Sequence, residues 1–236
     1  MHKWLICTMI LILGVMLQTV DAGKKDKEDN TTKEALQVLQ EFIGNWKGSA
    51  NEKKLGFWTE KASWSWRFKG KDTWMTFDLD NSKLYKGGEV RYLPDDSKYQ
   101  ITIIDKAGKK AVYAGEMKKS TLYVERVNPA SKDTEQFRMS IAGGGDRLVY
   151  EMWLKPDGRT MYNKQLQVSY TREGVTFGVE VGGKKALCVV TGGLGTSTVT
   201  YMGTTYYVCC TGCRDAFNEN PAKIVAEYLK KKKGGN

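Results

Sequence analysis

Histidine is nearly missing from this 236-residue chain, which has one, His2. Cysteine is missing from the whole middle of it: after Cys7 the next is Cys188. A hydrolase of this size normally pairs a Ser or Cys nucleophile with an imidazole base. The region from residue 34 to 173 has neither His nor Cys, so that chemistry is excluded there. Long apolar runs are missing too, apart from the first residues. No later stretch approaches the roughly 20 residues needed to span about 30 Å of hydrocarbon, so no transmembrane anchor is expected.

The first residues are different. His2 and Lys3 give a basic start, Trp4 to Leu17 is almost wholly apolar, and Val20-Asp21-Ala22 ends the run with small residues where a signal peptidase reads. This is the layout of a removable secretory signal, residues 1–22. It predicts a secreted or periplasmic protein. His2 and Cys7 leave with the leader, so the exported chain has no imidazole and four cysteines: Cys188, Cys209, Cys210 and Cys213.

The net charge is +10 and the pI about 9.2, which favours anionic surfaces or acidic partners. The lysines are scattered except for Lys230 to Lys233, a run that reads as a solvated tail. Nucleic acid is not an expected partner.

Residues 23–33 open with a polar, charged stretch and read as a disordered lead-in. Thr31-Thr32-Lys33-Glu34 has the form of a capping box, and Leu36, Leu39, Phe42 and Ile43 recur at helical spacing up to Gly44. Beyond it the period changes to 2. Trp64, Trp66 and Phe68 alternate with polar residues, as do Leu148, Tyr150, Met152 and Leu154, and then Leu166, Val168 and Tyr170. Similar runs lie near 72–79, 84–93, 98–105, 110–117, 120–127 and 134–141. Turn signals such as Pro94-Asp95-Asp96 and Pro156-Asp157-Gly158 separate them. About nine or ten strands at this spacing predict an antiparallel sandwich or barrel, and the lack of intervening helices argues against βαβ units.

Phe42-Ile43-Gly44-Asn45-Trp46-Lys47-Gly48 after a short helix resembles the opening of lipocalin-like barrels, with Gly44 and Trp46 as the Gly-x-Trp of the first strand and Arg172 as the last-strand Arg packed on that Trp. The resemblance covers residues 34–173. It implies an up-and-down barrel whose interior can hold an apolar ligand. From composition alone, Trp46, Trp64, Trp66 and Trp74 read as fillers of the barrel.

Composition shifts after Arg172. Gly174, Gly178, Gly182 and Gly183 mark a linker, residues 174–183. In 184–232, Thr198–Tyr201 and Thr205–Val208 read as a hairpin with its turn at Met202-Gly203. A short helix follows from about Gly212, and Asn220-Pro221 opens a second with the apolar stripe Ile224, Val225, Tyr228 and Leu229. The fold class is thus α+β: a mainly antiparallel barrel followed by a small hairpin and two-helix module. So small a unit needs a staple, and its cysteines offer one.

Cys188, Cys209 and Cys213, with Tyr206, Tyr207, Phe217 and Pro221, resemble the YHS domain and the related TRASH metal-binding motif. The resemblance implies that Cys188, Cys209 and Cys213 ligate a heavy metal such as zinc or copper. The sequence departs from that pattern in two ways: Val190 and Thr191 stand where many members have a second Cys, and Cys210 is an extra thiol that could replace Cys209 or take a fourth position. A His-free thiolate set suits Zn²⁺ or Cu⁺. Cys213, in the first turn of a helix, should have a lowered pKa. Disulfides remain open, as the compartment is oxidising, and so does a redox pair Cys210–Cys213. The expectation is an exported, non-catalytic metal-binding protein on a barrel scaffold, exchanging metal with a donor or acceptor protein. The alternative is a secreted carrier of a small apolar ligand whose C-terminal cysteines form disulfides.

Overall fold

The computed structural model describes residues 31–142, 145–173, 180–181 and 184–234. The leader, most of the lead-in, and residues 174–179 and 182–183 of the expected linker lie outside this set. Residues 31–37 form a helix (α1) from the first described position. It takes in Thr31 to Lys33, which the sequence suggested as lead-in, and it ends well before Gly44. A 3-10 turn at Gln40–Phe42 then leads into the first strand. Leu36, Leu39, Phe42 and Ile43 are all buried, as their spacing predicts.

Ten strands follow: β1 Gly44–Glu52, β2 Gly56–Lys69, β3 Asp72–Asp80, β4 Tyr85–Leu93, β5 Lys98–Asp105, β6 Lys110–Lys118, β7 Thr121–Val127, β8 Thr134–Ala142, β9 Arg147–Lys155 and β10 Asn163–Arg172. Each pairs antiparallel with its neighbours in sequence, and β10 returns to β1, closing the barrel. Closure removes the open edges that a sheet otherwise exposes. The alternation expected from sequence is the alternation observed. Trp58, Glu60, Ala62, Trp64 and Trp66 of β2 are buried, while Phe57, Thr59 and Lys61 are exposed.

Aromatic rings fill the interior. Trp64 stacks on Phe77 with centroids 4.6 Å apart, and Phe137 meets Tyr113 edge-on at 5.0 Å. One carboxylate is the exception to the surface placement of the others. Glu60 is buried, accepting a 2.7 Å hydrogen bond from Trp58 Nε1 and another from the Tyr170 hydroxyl.

The seam between β1 and β10 carries a clamp. Trp46 is fully buried, its Nε1 donates to Phe42 O at 2.8 Å, and the Arg172 guanidinium lies 4.1 Å from its ring centroid. Arg172 also donates to Ile43 O, Glu41 O and Gly145 O at 2.8, 2.7 and 3.0 Å. A planar fork can reach three carbonyls while stacking on the indole; a lysine ammonium cannot. Arg172→Lys is therefore expected to lower stability by about 2 kcal/mol, read from the midpoint of chemical unfolding. A change below about 0.5 kcal/mol, the range of ordinary surface substitutions, would mean that the clamp contributes nothing.

After the barrel, Glu180–Val181 (β11) pairs with Lys184–Lys185 (β12), so part of the expected linker is in a short strand pair. Ser197–Tyr201 (β13) and Thr204–Val208 (β14) form the expected hairpin, followed by helices Thr211–Glu219 (α2) and Pro221–Gly234 (α3). Asn220 Oδ1 accepts from Lys223 N, with Pro221 at the first helical position. Among the described residues no helix is long and apolar enough to cross a membrane.

The core of the module is continuous with that of the barrel. Cys188, Cys209, Cys213, Phe217 and Val225 belong to the same continuous core as the barrel tryptophans. The docking surface is an overhang. β1 pairs with β2 only as far as Gly44 opposite Trp64, so residues 65–69 of β2 extend past it. The first turn of α2 covers that free edge at Trp66.

Candidate metal centre

Three local structures carry the cysteines to one point. The first is the hairpin. Its two-residue loop has Met202 at φ 48° and Gly203 at φ 75°, the conformation that a tight hairpin of twisted strands favours. It aims β14 so that Val208 runs directly into Cys209 and Cys210. The second is the start of α2. Cys210 is the extended cap residue, and Cys213 lies one turn into the helix, turned back beside Cys209. The third is a turn at 188–193. Cys188 N donates to Gly193 O at 2.7 Å, Gly192 N to Cys188 O at 2.8 Å, and Gly192 adopts φ 77°. Cys188 also bridges to Tyr207 of β14.

The Sγ atoms of Cys188, Cys209 and Cys213 consequently lie within 4.8 Å of one another, and all three residues are buried. Cys209 and Cys213 are 3.5 Å apart at sulfur, well beyond a disulfide bond of about 2.05 Å, and no disulfide joins the four described cysteines. A metal about 2.3 Å from each sulfur needs the sulfurs roughly 3.8–4.0 Å apart in tetrahedral or trigonal geometry. The Cys209–Cys213 spacing is within a few tenths of an ångström of that, and the whole group, within 4.8 Å, can close on an ion with side-chain shifts of up to about 1 Å. The buried three-sulfur group can hold a metal ion. Cys210 stands to one side of this group: it is half-buried, and its Sγ approaches Cys209 Sγ at 4.0 Å.

The barrel side supplies polar contacts that the sequence did not reveal. Gln40, in the 3-10 turn, accepts from Trp66 Nε1 at 2.8 Å and points its Nε2 at Cys209 Sγ, 3.8 Å away. Gln37 of α1 donates to Thr191 O, and the Thr191 hydroxyl lies 3.5 Å from Cys209 Sγ. Trp66 also offers a backbone hydrogen bond to Cys210. These groups stabilise negative charge on sulfur, which a soft cation requires.

The protons on the four thiols are shared unevenly. Cys188 is held low, first by hydrogen bonds from Cys209 and Cys213, against its burial, with help from Thr191. Cys210 is also held low, first by hydrogen bonds from Cys209 and Cys213. Cys209 is pushed up, first by its hydrogen bond to Cys188 and then by the nearby Cys210 sulfur. Cys213 is pushed up as well, first by its hydrogen bond to Cys188 and further by its other sulfur neighbours and its burial. The expectation of a lowered pKa at Cys213 is therefore corrected: its place at the helix start is as predicted, but hydrogen bonding to the neighbouring sulfurs, Cys188 first, and burial keep the proton on it.

A second cavity, of about 210 Å³, lies at the far end of the barrel around Tyr85, Tyr113, Arg126 and Glu135. Burial opposes the charge on Glu135, but hydrogen bonds from Arg126, Tyr113 and Asn128 prevail and lower its pKa. Burial pushes the Tyr85 hydroxyl up to about 12. This polar cluster is internally satisfied, with the Tyr113 hydroxyl and Arg126 Nε both on Glu135 at 2.6 and 2.8 Å.

No protein-family model matches this sequence, and no curated protein matches it. Among solved structures, one described as "EF1p2_mFAP2b bound to DFHBI" is similar at 14% identity with a TM-score of 0.24, over 60% of this chain and 99% of that one. So distant a likeness brings nothing to this chain beyond itself.

Proposed function

We propose that this is an exported, non-catalytic protein that binds a soft metal ion, Zn²⁺ or Cu⁺, through Cys188, Cys209 and Cys213, with the barrel as the rigid platform that aligns them. The observation that carries this reading is the convergence of three buried thiols within 4.8 Å. A lone buried thiol packs as a small hydrophobe, but three brought to one point form a coordination site whose metal-binding energy adds to folding. Three protein sulfurs leave a fourth position open, the arrangement of a site that passes its ion on rather than one that only braces a fold. YHS-like and TRASH-like spacing supports the same assignment, and the signal-like residues 1–22 support export. Cys210 is the spare thiol, placed to assist Cys209 during exchange.

The test is elemental analysis of the protein purified without chelator, with a count of free thiols after denaturation. About one equivalent of zinc or copper, with all four thiols reduced, is the expected result. No metal and no free thiols would overturn it. The cysteines would then be structural disulfides, and the barrel interior would become the place to look for a carried apolar ligand.

A further inference from the structure

A groove lies beside the metal centre. It has a volume of about 350 Å³ and opens against Cys188 and Thr191, with Val189, Ile224 and Tyr228 as apolar walls. Its rim carries Lys33 from α1 and Lys231 and Lys232 from α3, opposed by Glu227 alone. Glu227 already lies 4.0 Å from Lys223 on its own helix. Lys33 forms no hydrogen bond or ion pair with the described residues. Burial first, and then the nearby Lys231, make its charge costly, partly offset by Glu227 and by the sulfurs of Cys213 and Cys188. The groove is thus the size of a small-molecule site, apolar in its body and positive at its rim, and its wall includes Cys188, one of the three buried cysteines of the metal centre.

We propose that this groove binds a small thiol-bearing carboxylate, its carboxylate held between Lys33 and Lys231 and its sulfur beside Cys188 at the metal's fourth position. The inference rests on the metal reading above and deepens it: the ion arrives or leaves as a complex with a small anionic thiol. As the ligand sulfur bonds to the metal, its thiol proton passes to solvent, and no electrons are exchanged. The three facing cations fit the anion. The apolar walls fit the carbon skeleton. The open coordination position fits the sulfur, because soft ions prefer thiolate to water. A chain-like partner would need a longer track than a cavity of this volume provides.

The experiment uses the full chain, with mercaptosuccinate as probe and succinate as its sulfur-free control. Both are titrated calorimetrically into reduced metal-free protein and into zinc-loaded protein, with zinc content measured independently. One molecule of mercaptosuccinate is expected to bind the zinc-loaded protein at least about tenfold more tightly than succinate, a difference of about 1.4 kcal/mol. The double variant Lys33→Gln/Lys231→Gln is expected to weaken both by about tenfold or more while zinc content is unchanged. Lys231→Glu alone should weaken them in the same direction, and thermal unfolding checks that both variants fold. Equal affinity in wild type and variants would overturn the groove assignment even where zinc is bound. If no zinc is retained, the metal reading fails separately. Lysine-dependent binding of succinate to the metal-free chain would then still uphold the anion site, and its absence would overturn it.

Discussion

Cys213→Ser is expected to weaken zinc binding by about a hundredfold, while Cys210→Ser changes it less than about fivefold. Structural zinc sites bind with about 10–16 kcal/mol shared among four ligands, so one sulfur contributes roughly 3 kcal/mol, about two decades in affinity. Cys213 is inside the three-sulfur group and fully buried, and Cys210 is outside it and half-buried. Serine preserves the shape of the side chain, so the fold should survive both changes. Cys188→Ser should behave as Cys213→Ser does, because its sulfur is equally enclosed. The measurement is competition against a chromophoric zinc chelator, with reduced protein throughout. Equal losses in Cys210→Ser and Cys213→Ser would exclude the three-sulfur site and point to one built on the Cys210–Cys213 pair. The contrast between the two variants matters more than either value. A general loss of stability would lower both, whereas a coordination site distinguishes them by position.

The elements were legible because their chemistry is local. The period-2 runs of β2, β9 and β10 follow from a sheet with one wet and one buried face. Met202-Gly203 and Asn220-Pro221 announce a turn and a helix start by backbone preference alone. Trp46 and Arg172 could be paired only by resemblance, yet they stack at 4.1 Å. The grouping of Cys188, Cys209 and Cys213 came only from the resemblance: the hairpin and the helix start place Cys209 and Cys213, and Cys188 reaches them through the separate turn at 188–193. What surrounds those sulfurs was not legible. Gln40 lies 169 positions from Cys209, and Gln37 lies 154 from Thr191. Glutamines on a short helix look like solvated surface in any window of sequence. Docking of the module on the barrel leaves no periodic trace, because the contact is made by an overhanging strand edge and a missing side chain. A module of this size looked as though it needed cysteines as its staple, but the barrel core performs much of that role. The groove was invisible for the same reason: Lys33 and Lys231 come from helices at opposite ends of the chain.

That missing side chain is Gly212, and Gly212→Ala is expected to cost about 3 kcal/mol or more in stability and to damage the metal site with it. A Cβ added there would lie 1.7 Å from Trp66 O and 2.7 Å from its carbonyl carbon. The obstacle is backbone, not a side chain that can rotate away. Trp66 cannot retreat, because it pairs with Met75 on β3 and its indole is fully buried. The helix must move instead, and α2 carries Cys213 in its first turn and Cys210 at its cap. Overpacking of a fitted contact typically costs about 1–3 kcal/mol, and here uncovering the β2 overhang adds exposed backbone groups to that. Gly203→Ala is the control. It has a positive φ of 75° but nothing within 4 Å of an added Cβ, so it should cost only about 1 kcal/mol of backbone strain and leave the sulfurs in place. Both are read by chemical unfolding with and without zinc. Zinc that binds only the folded chain raises stability by mass action. Wild type and Gly203→Ala should therefore gain from zinc, and Gly212→Ala should gain little. If Gly212→Ala were as stable as wild type and gained equally from zinc, α2 would not be seated on Trp66, and the sulfurs would owe their alignment to the hairpin alone.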